Sequence, residues 1–279
     1  MTTAREDWEL PISEEQLTRL TRDMETAHRE TLPAMRASAV DLAEEFRGRR
    51  RGPRREDDQP AGPARRRFLL GAGGAAAALA LAACASDKKN TSAASTKGVG
   101  AVSTSASAGG GTYTGDLKVV ALAVALENQA VGAYQATLAA AKAGKLGTVP
   151  PAVATFVSTA MAQHADHAKA WNAVLTGAGK PAITNVPLSN QAATTAALAK
   201  ATTVADVAKL ALTLEDQAAQ TYLFATFNVK SAAGIETAAT IAPVEAQHAA
   251  ILNFVLGQYP VPDDFLPTDK AADPALLTV

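Results

Sequence analysis

Six residues of this chain are metal-ligating types at helical spacing: Glu127, His164, His167, Glu215, Glu245 and His248. Glu127 stands in LENQAVGAY (126–134) and Glu215 in LEDQAAQTY (214–222), which share Leu, Glu, Gln, Ala and Tyr at matching places. His164 and His167 are three apart, as are Glu245 and His248, so each pair lies about one turn apart on one helix face. Carboxylate oxygen with imidazole nitrogen is the donor mix for iron, manganese or zinc. Three of the four histidines fall in this set. All six positions lie inside apolar stripes: Val120, Val124 and Val131 around Glu127; Ala208, Ala211 and Ala218 around Glu215. Val157, Ala160, Trp171 and Val174 flank the two histidines, and Ile241, Ile251 and Val255 flank Glu245 and His248. A buried carboxylate takes a proton or finds a partner. No arginine follows Arg67, and the lysines fall mostly at helix ends or on outer faces. Protons, one another, water or a metal are what remain. Two readings stay open: a metal site, or a hydrogen-bonded polar core without an ion. Tyr134 and Tyr222, seven residues past Glu127 and Glu215, either pack the core or hydrogen-bond behind the ligands. There is no nucleophile–base pair and no phosphate loop, which argues against a hydrolase, and no nucleic-acid partner is expected.

Four helices must position these groups. The first runs from about 116 to 143, and the second opens after Pro150-Pro151 and stops at Gly177. The third starts near Thr203, with Asp206 as cap partner, and ends near Asn228; the fourth runs from about 234 to 256. Pro243 should kink this last helix or start its final segment. The first and third match through Glu127/Glu215 and Tyr134/Tyr222. The second and fourth match as HADHAKAWNAVL (164–175) on EAQHAAILNFVL (245–256). Four segments matching pairwise and in order mark a duplicated hairpin. Short links within hairpins and a long one between them, about 176–202, give an all-α four-helix bundle with one crossover.

This pattern resembles the ferritin-like di-iron carboxylate family, to which bacterioferritins and rubrerythrins belong. In that family helices one and three each give a Glu, and helices two and four each give Glu-x-x-His. The resemblance implies single-Glu roles for Glu127 and Glu215, a Glu-x-x-His role for Glu245 and His248, and the remaining histidine role for His167. It implies iron, in a di-iron or mononuclear site, with manganese or zinc as alternatives. If there is turnover, it implies oxidation of the metal by dioxygen or peroxide. One position departs: His164 stands where the bridging Glu belongs. Asp166 is about 200° around the helix from it and cannot substitute.

Outside 116–257 the chain reads as an exported lipoprotein. RRRFLLGAGGAAAALALAAC (65–84) has a basic start, an apolar run and a small-residue end. Arg65, Arg66, Phe68 and Leu69 resemble a twin-arginine signal, and Leu81-Ala82-Ala83-Cys84 resembles a lipobox with Cys84 as lipid acceptor. The expected partners are the twin-arginine machinery and, through the lipid, the outer face of a bacterial cytoplasmic membrane. Residues 84–115 form a Ser/Thr/Ala/Gly tether of roughly 30 Å mean span, and 258–279 a Pro-containing tail. Residues 1–64 carry an amphipathic pattern from Ser13-x-x-Gln16 to Phe46, then six arginines between Arg47 and Arg55. Either they follow a start codon placed too far upstream, or their basic end lies on anionic lipid. All 14 arginines lie at or before Arg67 and all 12 lysines at or after Lys88, which argues against one core shared by the two parts.

Overall fold

The computed structural model describes residues 8–50, 112–261 and 266–279. Arg65, Arg66, Phe68, Leu69, Cys84 and most of the tether lie outside these. Among the described residues six α-helices follow in order: α1 (Glu14–Arg50), α2 (Asp116–Lys142), α3 (Pro151–Gly177), α4 (Gln191–Lys200), α5 (Val204–Asn228) and α6 (Ala232–Val255). Among the described residues there is no β-strand, only an isolated bridge between Leu188 and Leu277. None of the described helices is long and apolar enough to cross a membrane.

Local chemistry sets the ends. Thr203 accepts from the Asp206 N–H at 3.1 Å while Asp206 accepts from the Thr203 N–H at 3.0 Å, a closed capping box that starts α5. Ser13 and Gln16 start α1 in the same way. Pro243 does not start a separate segment: α6 runs as one helix through it. A proline at 243 frees the carbonyl of residue 239. Ala239 is exposed, so water serves that carbonyl, while Ile241, Ala242 and Val244 are buried and hold both sides of the proline.

Helices α2 and α3 form one antiparallel hairpin, α5 and α6 the other, and α2 packs beside α5. The crossover carries the short helix α4, which lies against α2 and α5. The tail also packs: the Ala272 N–H donates to Thr221 Oγ1 at 2.8 Å, and Leu277 pairs with Leu188.

The N-terminal segment is the principal correction. Residues 1–52 and 111–279 form one compact unit, and α1 lies across both α3 and α6. Leu17 and Met24 join a core cluster with Phe156 and Ile251, and Met35, Leu42 and Phe46 join one with Trp171 and Ile241. The apolar stripe of this helix, whose basic end was expected on anionic lipid, is buried against protein. Polar contacts run the length of the interface: Glu14 to the Ala152 N–H at 3.1 Å, Arg36 to Asp166 at 2.8 Å, Ser38 to Thr237 at 2.7 Å and Ser231 to Glu45 at 2.7 Å. Near the α1 C-terminus, Gly177 allows close approach, since a Cβ there would meet the Ala43 Cβ at 2.6 Å. Arginine-for-lysine usage therefore did not report packing; complementary apolar stripes decided it.

Candidate metal centre

The six sequence-derived ligands converge in the seam of the bundle. Glu127 comes from α2, His164 and His167 from α3, Glu215 from α5, Glu245 and His248 from α6. None is more than 2 % exposed. Their donor atoms form two groups, each within 4.8 Å: Glu127, His164, His167 and Glu245 in one; His164, Glu215, Glu245 and His248 in the other. Both groups contain His164 and Glu245.

His164, at the departing position, spans the two halves. Its Nδ1 is 2.7 Å from Glu127 Oε2 and its Nε2 is 3.1 Å from Glu215 Oε1. A carboxylate can offer an oxygen to each of two ions at once. A neutral imidazole has one lone pair, so His164 would serve one ion, and Glu245, the carboxylate common to both groups, could hold either. The His248 Nδ1 lies 3.2 Å from both Glu215 Oε2 and Glu245 Oε2.

Does this donor set fit an ion? His167 Nδ1 and Glu245 Oε1 are 2.8 Å apart, yet both are buried without an aligned hydrogen-bond partner, as is His167 Nε2. Buried polar atoms usually have partners. Two donors about 2.1 Å from a common ion stand about 3 Å apart without pointing at each other. The separation and the missing alignment are those of neighbouring ligands.

The electrostatics are self-balancing without an ion. Burial pushes the Glu127 carboxyl up, but the nearby His167 charge and the hydrogen bond with His164 overcome it and bring it from 4.5 to about 2. Glu215 is held well below the usual range, burial being outweighed by His164 and His248. Burial pushes His167 down, and Glu127 and Glu245 reverse this, lifting it from 6.5 to about 9. His164 rises well above its ordinary value and His248 rises too, through their carboxylate neighbours. Carboxylates and imidazoles thus stabilise one another's charged forms across the cluster. A metal would displace the imidazole protons, because ligands must be deprotonated.

A layer of partners holds the ligands, and here the repeat crosses over. Tyr134, on the helix of Glu127, donates to Glu215; Tyr222, on the helix of Glu215, donates to Glu127. The Trp171 indole N–H donates to the Tyr222 hydroxyl at 2.9 Å, so Trp171 backs a ligand rather than only filling core. The sequence left the role of the tyrosines open; the structure puts them behind the carboxylates.

Gln163, Glu25 and His28 were missed. The Gln163 Oε1 meets His248 Nε2 at 2.8 Å, and its amide nitrogen donates to Glu25 Oε2 at 2.8 Å. That chain places the proton of His248 on Nε2 and leaves its Nδ1 lone pair for the cluster. The available signal was Glu25-Thr26-Ala27-His28, a Glu-x-x-His on α1 with the spacing of the recognised pairs.

Two like hairpins enclosing a buried carboxylate–imidazole cluster define the ferritin-like class of bundle. The chain belongs to that family: the ferritin-like domain model matches residues 113–258, just over half of it. Comparison with curated proteins found no match, and comparison with solved structures found none.

Proposed function

We propose that this is an exported, lipid-anchored ferritin-like protein whose cluster takes divalent transition ions, iron first, in an unequal pair of positions. One observation carries the metal reading: two groups of four buried donors share Glu245 and His164, with orphaned atoms on His167 and Glu245 where they meet. Glu127, His164, His167 and Glu245 would hold one ion; Glu215, His248 and the shared Glu245 the other. Bound there, iron would supply reversible one-electron oxidation and reduction. The chain's own part is positional. Tyr134 and Tyr222 orient the terminal carboxylates, Gln163 sets the His248 tautomer, and the surrounding aliphatic residues exclude water. The export signal and the lipobox support the location, and the tether would hold the bundle just off the membrane.

The test is metal content together with melting. A ligand bound only to the native state adds about 2.7 kcal/mol at a hundredfold excess over its Kd. Iron, manganese or zinc should raise the melting temperature, and a chelator should reverse it. Glu245→Ala should abolish the rise and lower bound metal in both positions. Melting indifferent to all three ions would leave a structural lipoprotein with an empty polar core.

A second reading is favoured by α1. Cleavage before Cys84 would sever α1 from the bundle whose α3 and α6 it covers. Uncut, the chain would instead work as a five-helix protein with α1 as a permanent wall of the site. The mass of the native protein separates the two.

A further inference from the structure

The fourth histidine of the chain, His28, is 3 % exposed on the face of α1 that meets α3, and its Nε2 has no hydrogen-bond partner. Asp166 Oδ2 lies 3.7 Å from that nitrogen, too far for a hydrogen bond. Two donors about 2.1 Å from one ion stand about 3.0–3.6 Å apart across bond angles of 90–120°. At 3.7 Å the pair lies just beyond that range, so a small side-chain rotation would bring both atoms onto one cation. On the inner side, the His28 ring faces His167 edge-on, with centroids 5.2 Å apart, and His167 Nε2 is likewise unpartnered. On the outer side, the Asp166 side chain is one-third exposed, and its other oxygen is held by Arg36 at 2.8 Å. Glu25, one turn before His28, is also near, but its charge is offset by Arg29 at 2.6 Å. Arg36 offsets the charge of Asp166, but it also fixes the carboxylate so that Oδ2 points to His28.

We infer that His28 and Asp166 form an outer divalent-cation position at the seam of α1 and α3, from which an ion passes inward to His167 and the cluster. The position has a wet end at Asp166 and a dry end at His28, water completing the coordination. The six cluster ligands are buried to 2 % exposure or less. Asp166–His28–His167 is a graded series of donors reaching from solvent to one of them. This position exists only in the uncut chain, with residues 14–50 packed on the bundle, so it rests on the second reading above, and its role as a feeder rests on the cluster binding metal.

The test uses the full-length chain, stripped with a chelator and titrated with Co²⁺, followed by equilibrium dialysis and stopped-flow absorbance. Wild type should bind one weaker equivalent beyond those of the cluster. His28→Ala and Asp166→Asn should each lose that equivalent and slow loading of the cluster about tenfold. Asp166→Asn keeps an acceptor for Arg36, so it decides the matter if His28→Ala disturbs α1, as a melting curve would show. Tight uptake with equivalents and rates indifferent to His28 and Asp166 overturns the outer position alone. A weak equivalent that depends on His28, with Glu245→Gln changing nothing else, upholds the outer position and overturns the cluster reading. No Co²⁺ uptake by wild type overturns both.

Discussion

His164 occupies the place where a carboxylate would bridge two ions, and it lies against Glu127, Glu215 and Glu245 at 2.7, 3.1 and 3.6 Å. His164→Glu should therefore act oppositely in the two states of the protein. With iron present, a fourth carboxylate balances two divalent ions, and metal should rise toward two per chain. Without iron, four acids share one dry pocket with too few cations, and stability should fall by about 3–5 kcal/mol. Metal analysis and urea melts on the same samples read both effects. A destabilised variant with no gain in metal would point to an empty polar core. The protons make a second prediction. Glu127 is lowered from 4.5 to about 2, so its contribution is present above 4.5 and lost as pH falls toward 2. His167 is raised from 6.5 to about 9, so its contribution is complete below 6.5 and lost as pH rises through 9. The metal-free protein should melt highest between these limits, at about pH 4.5–6.5, and lose stability toward pH 9. Saturating metal replaces the imidazole protons and should flatten the alkaline side. Melting curves across pH, with and without zinc, check this.

At the scale of elements, α1 is what turns a four-helix bundle into a closed one. Its placement depends on small residues at the contact, Ala43 against Gly177 above all. Gly177→Ala puts a methyl 2.6 Å from the Ala43 Cβ, and the atom it meets is not the end of a flexible chain. In the full-length protein the change should cost about 1–3 kcal/mol through overpacking. In a chain beginning at Cys84 that contact is gone, and the same change should stabilise by up to about 1 kcal/mol through helix propensity alone. Opposite signs in the two proteins, read by urea melts, would establish the α1–α3 contact in solution. Equal effects would remove it.

For the whole molecule the question is whether α1 and the bundle stay together. Leu17, Met24, Met35, Leu42 and Phe46 are buried at or below 8 % exposure. At about 1.5–3 kcal/mol each, these five side chains bind α1 by at most about 7.5–15 kcal/mol. A protein cut before Cys84 either keeps α1 as a bound peptide or exposes the apolar face of α3 and α6. Under the export reading, the membrane-bound product should have the mass of a lipidated chain starting at Cys84. Cys84→Ser should then leave it uncleaved or soluble, and lysines at Arg65 and Arg66 should block export. A native chain with the mass of residues 1–279 would instead establish the five-helix protein.

What the sequence alone determined is what periodicity carries. Four helices, their limits to within about two residues, the duplicated hairpin and the six inward-facing carboxylate and imidazole side chains were all legible, because a 3.6-residue repeat fixes which side chains share a face. The capping pairs Ser13/Gln16 and Thr203/Asp206 were legible for the same reason: both partners lie within one turn. The tertiary structure decided what depends on how helices rotate against one another. Tyr134 reaches Glu215 across 81 positions and Tyr222 reaches Glu127 across 95, so that each hairpin orients the other's ligand. Whether His164 could serve both halves turned on its ring orientation, which no spacing encodes. The amphipathic stripe of α1 was plain, but a stripe says only that something apolar must cover it. Lipid and protein satisfy that demand equally. Gly177, Asp166 and Thr237 on the bundle made protein the answer, because they match Ala43, Arg36 and Ser38 in shape and in hydrogen bonding.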